Sequence, residues 1–282
     1  QQTIKQAFNA WDNCFKKLGW KPKLKGVRNK LRSFTFPQFD NRKLSEKKIK
    51  LPSIGEIRFH KQEIPEGNIK LVRLVKKASG WYAQLTIDTN HIYKVKETEE
   101  KIGIDTGFKS LATLSNGIKY ENERNFVKGQ ERLAQAQRGK NKKLVSRLHE
   151  RIKNRRKDYN HKVSKEIVQN YKEIYITNDN LRGQSKIFGK SVQDAGISQL
   201  RRFISYKSDN HNRKFVLVDS KNTTKTCEKC GSLTGPTGLH GLKVRFWECS
   251  ACGAQLDRDI NSAKVILKVG LGTSHVQLKQ TG

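Results

Sequence analysis

The chain has 282 residues, with 58 Lys and Arg against 26 Asp and Glu, a formal net charge of +32. Self-repulsion at that charge works against a compact isolated protein and calls for a polyanion, so nucleic acid is the expected partner. The absence of any 18-residue apolar stretch or juxtamembrane basic cluster argues against a membrane partner, and five cysteines are too few for a disulfide scaffold.

With 34% hydrophobic residues the chain can bury more than one core. It holds no methionine and opens at Gln1, from which we expect further N-terminal sequence in the parent protein. No secretory signal is visible, which fits a cytoplasmic protein.

Taken in chain order, residues 1 to about 35 predict a basic helix and a turn: Ile4, Ala7, Phe8, Trp11, Phe15 and Leu18 recur at helical spacing between lysines. Two readings stand side by side, a core-facing helix with solvated lysines and a direct nucleic-acid contact. Cys14 reads as a bland thiol. From Ser33 the pattern changes to short alternating runs, Ser33–Phe36, Ile54–Phe59, Ile69–Lys76 and Trp81–Thr89, punctuated by Pro52, Gly55, Pro65, Gly67 and Gly80. They predict a small antiparallel β domain over residues 33–100.

A second architecture begins at Lys101. Ile102 to Gly107 is an apolar strand that ends in a carboxylate, and Ser110–Leu114 with Gly117–Tyr120 reads as a hairpin around Ser115-Asn116-Gly117. One long basic helical stretch follows, from about Arg124 to Tyr171. So dense a run of like charge repels itself unless phosphates lie nearby, which favours a nucleic-acid contact over a merely solvated face. A strand at Glu173–Thr177, a loop through Phe188, a helix at about Ser191–Asn210 and a strand at Lys214–Val218 complete an α/β arrangement. A closing helix is expected from Asp257 to Leu267.

Between the last strand and that helix stand Cys227-x2-Cys230 and Cys249-x2-Cys252. Two close thiolate pairs offer four ligands to a tetrahedral Zn²⁺ and leave no open position for a catalytic water, so the expected metal is structural. Five residues past Cys252 comes Asp257-Arg258-Asp259. Phosphodiester hydrolysis with two divalent cations needs carboxylates gathered from distant parts of the chain, to fix hard cations about 4 Å apart. Asp105, at the end of a central strand, and Asp259, at the start of the last helix, meet that need with Mg²⁺ as the expected ion. Asp257 reads as a cap or salt-bridge residue.

Gly103-Ile104-Asp105-Thr106-Gly107, Leu133-Ala134-Gln135-Ala136-Gln137-Arg138, Asn154 to Lys162, Asn222-Thr223-Thr224 ahead of Cys227, and Asp257-Arg258-Asp259-Ile260-Asn261-Ser262-Ala263 together resemble the TnpB family, transposon-encoded proteins ancestral to type V CRISPR effectors. The resemblance runs from about residue 1 to 270. It implies an RNA-guided, Mg²⁺-dependent DNA endonuclease that carries a guide RNA from the transposon end, acts on target double-stranded DNA and works in a bacterial or archaeal cytoplasm at the nucleoid. The implied fold is an α/β RNase H-like (RuvC) nuclease domain in two parts, 101–220 and 257–282, with an inserted zinc ribbon at 221–256. A wedge-type β-barrel would occupy 33–100, and 1–32 would be a remnant of a helical recognition lobe.

Where most members of that family carry a strand glutamate, this chain has Thr177. Three readings remain open. Asp179, two residues on along an extended segment, takes over; or Glu121, at the end of the hairpin, or its neighbour Glu123 supplies the acid from the start of the following helix; or the site is inactive and the chain is a guided DNA-binding repressor. Our assignment for the catalytic set is Asp105, Glu121 and Asp259, with Asp105 and Asp259 holding magnesium. His161, Arg155 and Arg156 are expected to bind phosphate or pack, because a metal-activated water needs no histidine base. A strand-transfer enzyme using the same acids without RNA is the further alternative.

Overall fold

The structure is a computed structural model that describes residues 2–23, 32–60, 62–89, 95–181, 183, 189, 194–241 and 243–272. The chain divides into two compact units, residues 1–92 and 93–282.

The first unit begins with helix α1 (Gln2–Phe15). Its apolar positions do not face a core: Ile4, Phe8 and Phe15 are 61%, 72% and 76% exposed, and Trp11 stacks on Phe15 instead. The core-facing reading of this helix is therefore not what the structure shows. Strands β1 (Ser33–Pro37), β2 (Lys48–Leu51), β3 (Gly55–Arg58), β4 (Asn68–Lys76) and β5 (Trp81–Asp88) follow. All their pairings are antiparallel, in a three-stranded sheet of order β1-β4-β5 and a separate β2-β3 hairpin. Val72 and Leu74 of β4 turn inward by alternation and Ile69 joins them across a β-bulge between Ile69 and Leu71, and all three meet Ile49 and Leu51 of β2 and Phe39 in one buried cluster. The hairpin turns at Gly55, whose φ of +88° lies in the region open to glycine.

The second unit is built on a mixed five-stranded sheet. Its strands are β6 (Lys101–Thr106), β7 (Ser110–Leu114), β8 (Lys119–Glu121), β9 (Glu173–Thr177) and β10 (Lys214–Val218), in the order β10-β9-β6-β7-β8. β10, β9 and β6 run parallel, and β7 and β8 return antiparallel as the hairpin.

The stretch read as one long helix is two, α2 (Asn125–Arg138) and α3 (Lys142–Asn170). The break has a local cause. Gly139 ends α2, Lys140 adopts φ +51°, and the Asn141 side chain accepts from Leu144 N at 3.0 Å to cap α3. Helix α4 (Ile197–Asn210) starts after Gly196, at φ +66°; residues 191–193, expected in its first turns, lie outside the described residues. Helix α5 (Arg258–Gly270) closes the unit.

Two layers of helix cover the sheet. Ile102 and Ile104 of β6 turn to one face, where Val163, Ile167 and Val168 of α3 and Ile197, Leu200 and Ile204 of α4 bury them. The intervening Gly103 turns to the other face, against α5. A Cβ there would stand 2.2 Å from the Ala263 carbonyl oxygen, so only glycine allows this approach. Asp105, two residues on, shares the α5 face by the same period.

An ion-pair ladder ties the three parallel strands. The register places Glu173 of β9 beside Lys101 of β6 and Lys214 of β10, with Nζ–O distances of 2.7 and 3.1 Å, and Tyr175 adds its hydroxyl. These bonds, Lys101 foremost, hold the Glu173 carboxyl at about 2 against an ordinary 4.5. A depressed acid contributes stability above its unfolded value, and that contribution is lost as pH falls toward the folded one. Glu173→Gln is thus expected to lower the neutral-pH Tm by about 4 °C. It should also flatten the decline in Tm between pH 4.5 and 2, as read by circular dichroism melts. A parallel decline in both proteins would remove Glu173 from the acid transition.

Candidate active site

The sheet and α5 place two of the expected acids face to face. Asp105 lies at the carboxyl end of β6, half-buried. Asp259 lies in the first turn of α5, where the helix dipole favours a carboxylate. Asp257 caps the helix: its side chain accepts from the backbone N–H of Asp259 and Ile260, each at 3.0 Å, and pairs with Lys119 Nζ at 2.7 Å. It is thus both a cap and a salt-bridge residue.

Both acids line a cleft of about 650 Å³, and Asp179 lines it with them. Asp179 sits two residues past the end of β9, the parallel neighbour of β6. Its Oδ2 accepts from Thr106 Oγ1 at 3.1 Å and pairs with Arg201 at 2.8 Å. At Thr177, where the family resemblance places a glutamate, a fully buried hydroxyl stands 3.0 Å from Thr106 Oγ1.

Burial, then the charges of Asp179 and Asp259, push the Asp105 carboxyl up to about 8, with Arg258 and the Ser262 hydroxyl pulling the other way. Three acids so arranged favour a bound cation, and carboxylate oxygens are the hard donors that Mg²⁺ takes.

Glu121 does not line this cleft. It ends β8, two strands from β6 and so about 10 Å away in strand spacing, is exposed, and accepts from Ser110 Oγ at 3.1 Å. Glu123 is engaged by Asn125 Nδ2 at 2.8 Å. Alternation along β8 shows which face a residue takes, but the strand order puts that face at the sheet's far edge.

Several residues of the cleft went unmarked in the sequence. Arg245, between the two cysteine pairs, reaches Asp259 at 3.2 Å. Arg258 also lines the cleft and was visible only as the middle of Asp257-Arg258-Asp259. Asp194 lines it too and accepts from Phe126 N at 2.8 Å, fixing the start of α2. Nothing in the spacing of Arg245 or Asp194 signals a site.

The four cysteines converge independently of this cleft. Zn–S bonds of about 2.3 Å in a tetrahedron set sulfurs about 3.8 Å apart. Here Cys227 and Cys252 are 3.8 Å apart, Cys230 and Cys249 3.6 Å, and all four lie within 4.8 Å of one another. The donor set therefore fits zinc. Strands β11 (Phe246–Glu248) and β12 (Gln255–Asp257) carry the second cysteine pair between them, and β12 runs directly into α5. Asn261 of α5 locks the two together: its side chain accepts from Glu228 N at 2.9 Å and donates to the Thr226 carbonyl at 2.8 Å. The buried Glu228 carboxylate pairs with Lys264 and Lys268 of the same helix.

Basic residues are spread around α3, and four of its ten form a stripe. Lys143, Arg147, Arg151 and Arg155 recur every fourth residue and are exposed, a spacing that suits a phosphate backbone. His161 packs: its ring stacks on Phe203 at 3.9 Å.

Residues 84–187 match the family described as probable transposase, OrfB_IS605, and residues 198–266 match the Cas12f1-like TNB domain. A Streptomyces pristinaespiralis protein named "Putative RNA-guided DNA endonuclease" is 31% identical over 296 residues, covering 97% of this chain and 71% of the relative. The similarly named InsQ of Escherichia coli K12 is 28% identical over 299 residues, covering 96% and 73%. Among solved structures, the protein of a Cas12f1-sgRNA-target DNA complex superposes with a TM-score of 0.50 at 20% identity, a likeness of fold. The alignment covers 70% of this chain and 45% of that protein, so this chain spans less than half of it.

Proposed function

Since the chain belongs to the TnpB-like family of IS605 OrfB proteins, we propose that it is an RNA-guided, divalent-metal-dependent DNA endonuclease. The carrying observation is the meeting of Asp105, Asp179 and Asp259, from β6, the loop after β9 and α5, in one cleft edged by Arg245 and Arg258. Residues 101–220 and 257–282 form a RuvC-like nuclease domain of RNase H type, and 221–256 its zinc ribbon. Residues 33–100 are a wedge-type barrel domain, and 1–32 belong to the helical recognition lobe.

Asp105, Asp179 and Asp259 hold Mg²⁺, which when bound supplies Lewis acidity and an activated water. The chain's own groups do the rest. Arg245 and Arg258 meet the phosphate in the cleft, and the positive end of α5 adds to their field. Cys227, Cys230, Cys249 and Cys252 hold structural zinc, so that the ribbon fixes α5 and carries Arg245 to the site. A guide RNA from the transposon end reads target double-stranded DNA by pairing, while the α3 stripe and other basic surfaces hold backbones without reading sequence. Among the described residues no helix is long and apolar enough to cross a membrane. Action on DNA places the protein in the bacterial or archaeal cytoplasm, at the nucleoid.

The test is cleavage of a guide-matched duplex in Mg²⁺ by the zinc-loaded chain, with Asp105→Ala alongside. Cutting by the parent and none above background by the variant is expected. Tight, guide-dependent binding with no cutting would instead establish the second reading, a guided repressor, which the buried hydroxyl at Thr177 favours. A strand-transfer enzyme would work with no co-purifying RNA.

A further inference from the structure

Asp179 raises a physical difficulty for the proposed metal site. It lies on the loop beyond β9 rather than on the strand, and a loop carboxylate is not held to the fraction of an ångström that a metal ligand needs unless something else fixes it.

Arg201 supplies the fixing contacts. It projects from α4 beside the buried Leu200 and Ile204, and its side chain is 12% exposed. Its Nη2 donates to Asp179 Oδ2 at 2.8 Å and to Thr106 Oγ1 at 3.3 Å, and Nη1 reaches the Asp179 backbone carbonyl at 3.4 Å. One guanidinium thus grips both the side chain and the main chain of the same residue. Thr106 donates to that same Oδ2 at 3.1 Å, and the Thr177 hydroxyl stands 3.0 Å behind it. The donors gather on one carboxylate oxygen of a residue that lines the cleft. A buried guanidinium is costly to leave without its counter-ion, which favours these contacts over their loss. The adjacent Arg202 makes a useful contrast, because its guanidinium lies over the Phe203 ring at 5.6 Å.

We infer that Arg201 is a positioning residue: with Thr106 and Thr177 it anchors Asp179 Oδ2 and the loop after β9, so that Asp179 serves as third acid where the strand itself offers a threonine. This rests on the reading of the cleft as a metal site. Outer partners of ligating carboxylates orient them, and their loss typically costs about 10–100-fold in metal affinity.

The experiment titrates Mn²⁺, followed by electron paramagnetic resonance of the free ion, into the zinc-loaded full chain. Zinc content and thermal melts check folding. Arg201→Gln is expected to weaken Mn²⁺ binding about 10–100-fold. Arg201→Lys should recover part of it, since one ammonium can meet Oδ2 but cannot also hold the carbonyl in the fork of a guanidinium. Arg202→Gln should bind as the parent does. Binding by a folded Arg201→Gln protein that equals or exceeds the parent's overturns the inference, excess marking Arg201 as a competitor of the metal. Should that variant not fold, Arg201→Lys and Thr106→Val decide: weakened binding in both supports the anchor, and parental affinity in either overturns it. The underlying reading fails separately. Mn²⁺ binding unchanged in Asp105→Ala and Asp259→Ala removes the carboxylate site altogether, whereas loss in those two with none in Arg201→Gln overturns the anchor alone.

Discussion

Asp179→Asn is expected to lower guided cleavage of a matched duplex about 10³-fold, while Glu121→Gln stays within about threefold of the parent. A ligating carboxylate contributes several kcal/mol to stabilising charge in a metal-assisted displacement, and each 1.36 kcal/mol is about tenfold in rate. Asparagine keeps the size of aspartate and an oxygen for Thr106 to address, so the loss is one of charge. It also leaves the buried Arg201 without its counter-ion, and thermal melts must accompany the rates. Glu121 is exposed on the edge strand and bonds Ser110, which predicts a small effect. Single-turnover cleavage of the two variants decides the matter. A large loss in Glu121→Gln with none in Asp179→Asn would return the third position to the start of the helix after the hairpin.

Removing the proposed zinc should also be damaging, although its four-thiolate site leaves no position open for chemistry. Binding of structural zinc is worth about 10–16 kcal/mol in small cysteine-ligated modules, and that energy is folding energy. Little else holds the ribbon, whose buried cluster is Cys227, Cys249 and Leu256. The ribbon in turn carries Arg245 to Asp259 and receives Asn261 and the two lysines of α5. Chelation, or Cys249→Ser, is therefore expected to melt residues 221–256 and to cost at least about 10²-fold in cleavage, in keeping with the loss of a positioned electrostatic group. Zinc added back to the chelated parent should restore cutting; added magnesium should not. Full activity at zero zinc content, measured by a chromophoric release assay, would detach the ribbon from the site.

Both expectations began as motifs, and they differ in how far the motif reached. The cysteine spacing carried its chemistry within itself, because each Cys-x2-Cys turn presents two sulfurs whatever surrounds it. Asp105 and Asp259 were legible for a similar reason: a carboxylate at a strand end and another behind a helix cap are placed by local geometry. The cap itself, Asp257, was also legible. The break between α2 and α3 was not read, although Gly139 and Asn141 mark it, because the basic periodicity runs on across it. The exposed apolar side of α1 was equally misleading, since helical spacing says that a face exists and not that anything covers it.

The third acid shows where local reading stops. In one dimension Glu121 reads as the third acid ahead of Asp179, and the order β10-β9-β6-β7-β8 reverses their distances from Asp105, by setting β9 next to β6 and β8 two strands away. Arg201 and Arg245, which address Asp179 and Asp259, carry no mark in their neighbourhoods because their partners lie 22 and 14 residues off in sequence. The sequence alone determined the ligand types, the α/β alternation, the four-thiolate site and the charge that calls for a polyanion, all of which depend on composition and short-range period. Only the tertiary structure shows which acid and which arginines line one cleft with Asp105 and Asp259, because those relations are set by strand order and helix packing, not by spacing along the chain.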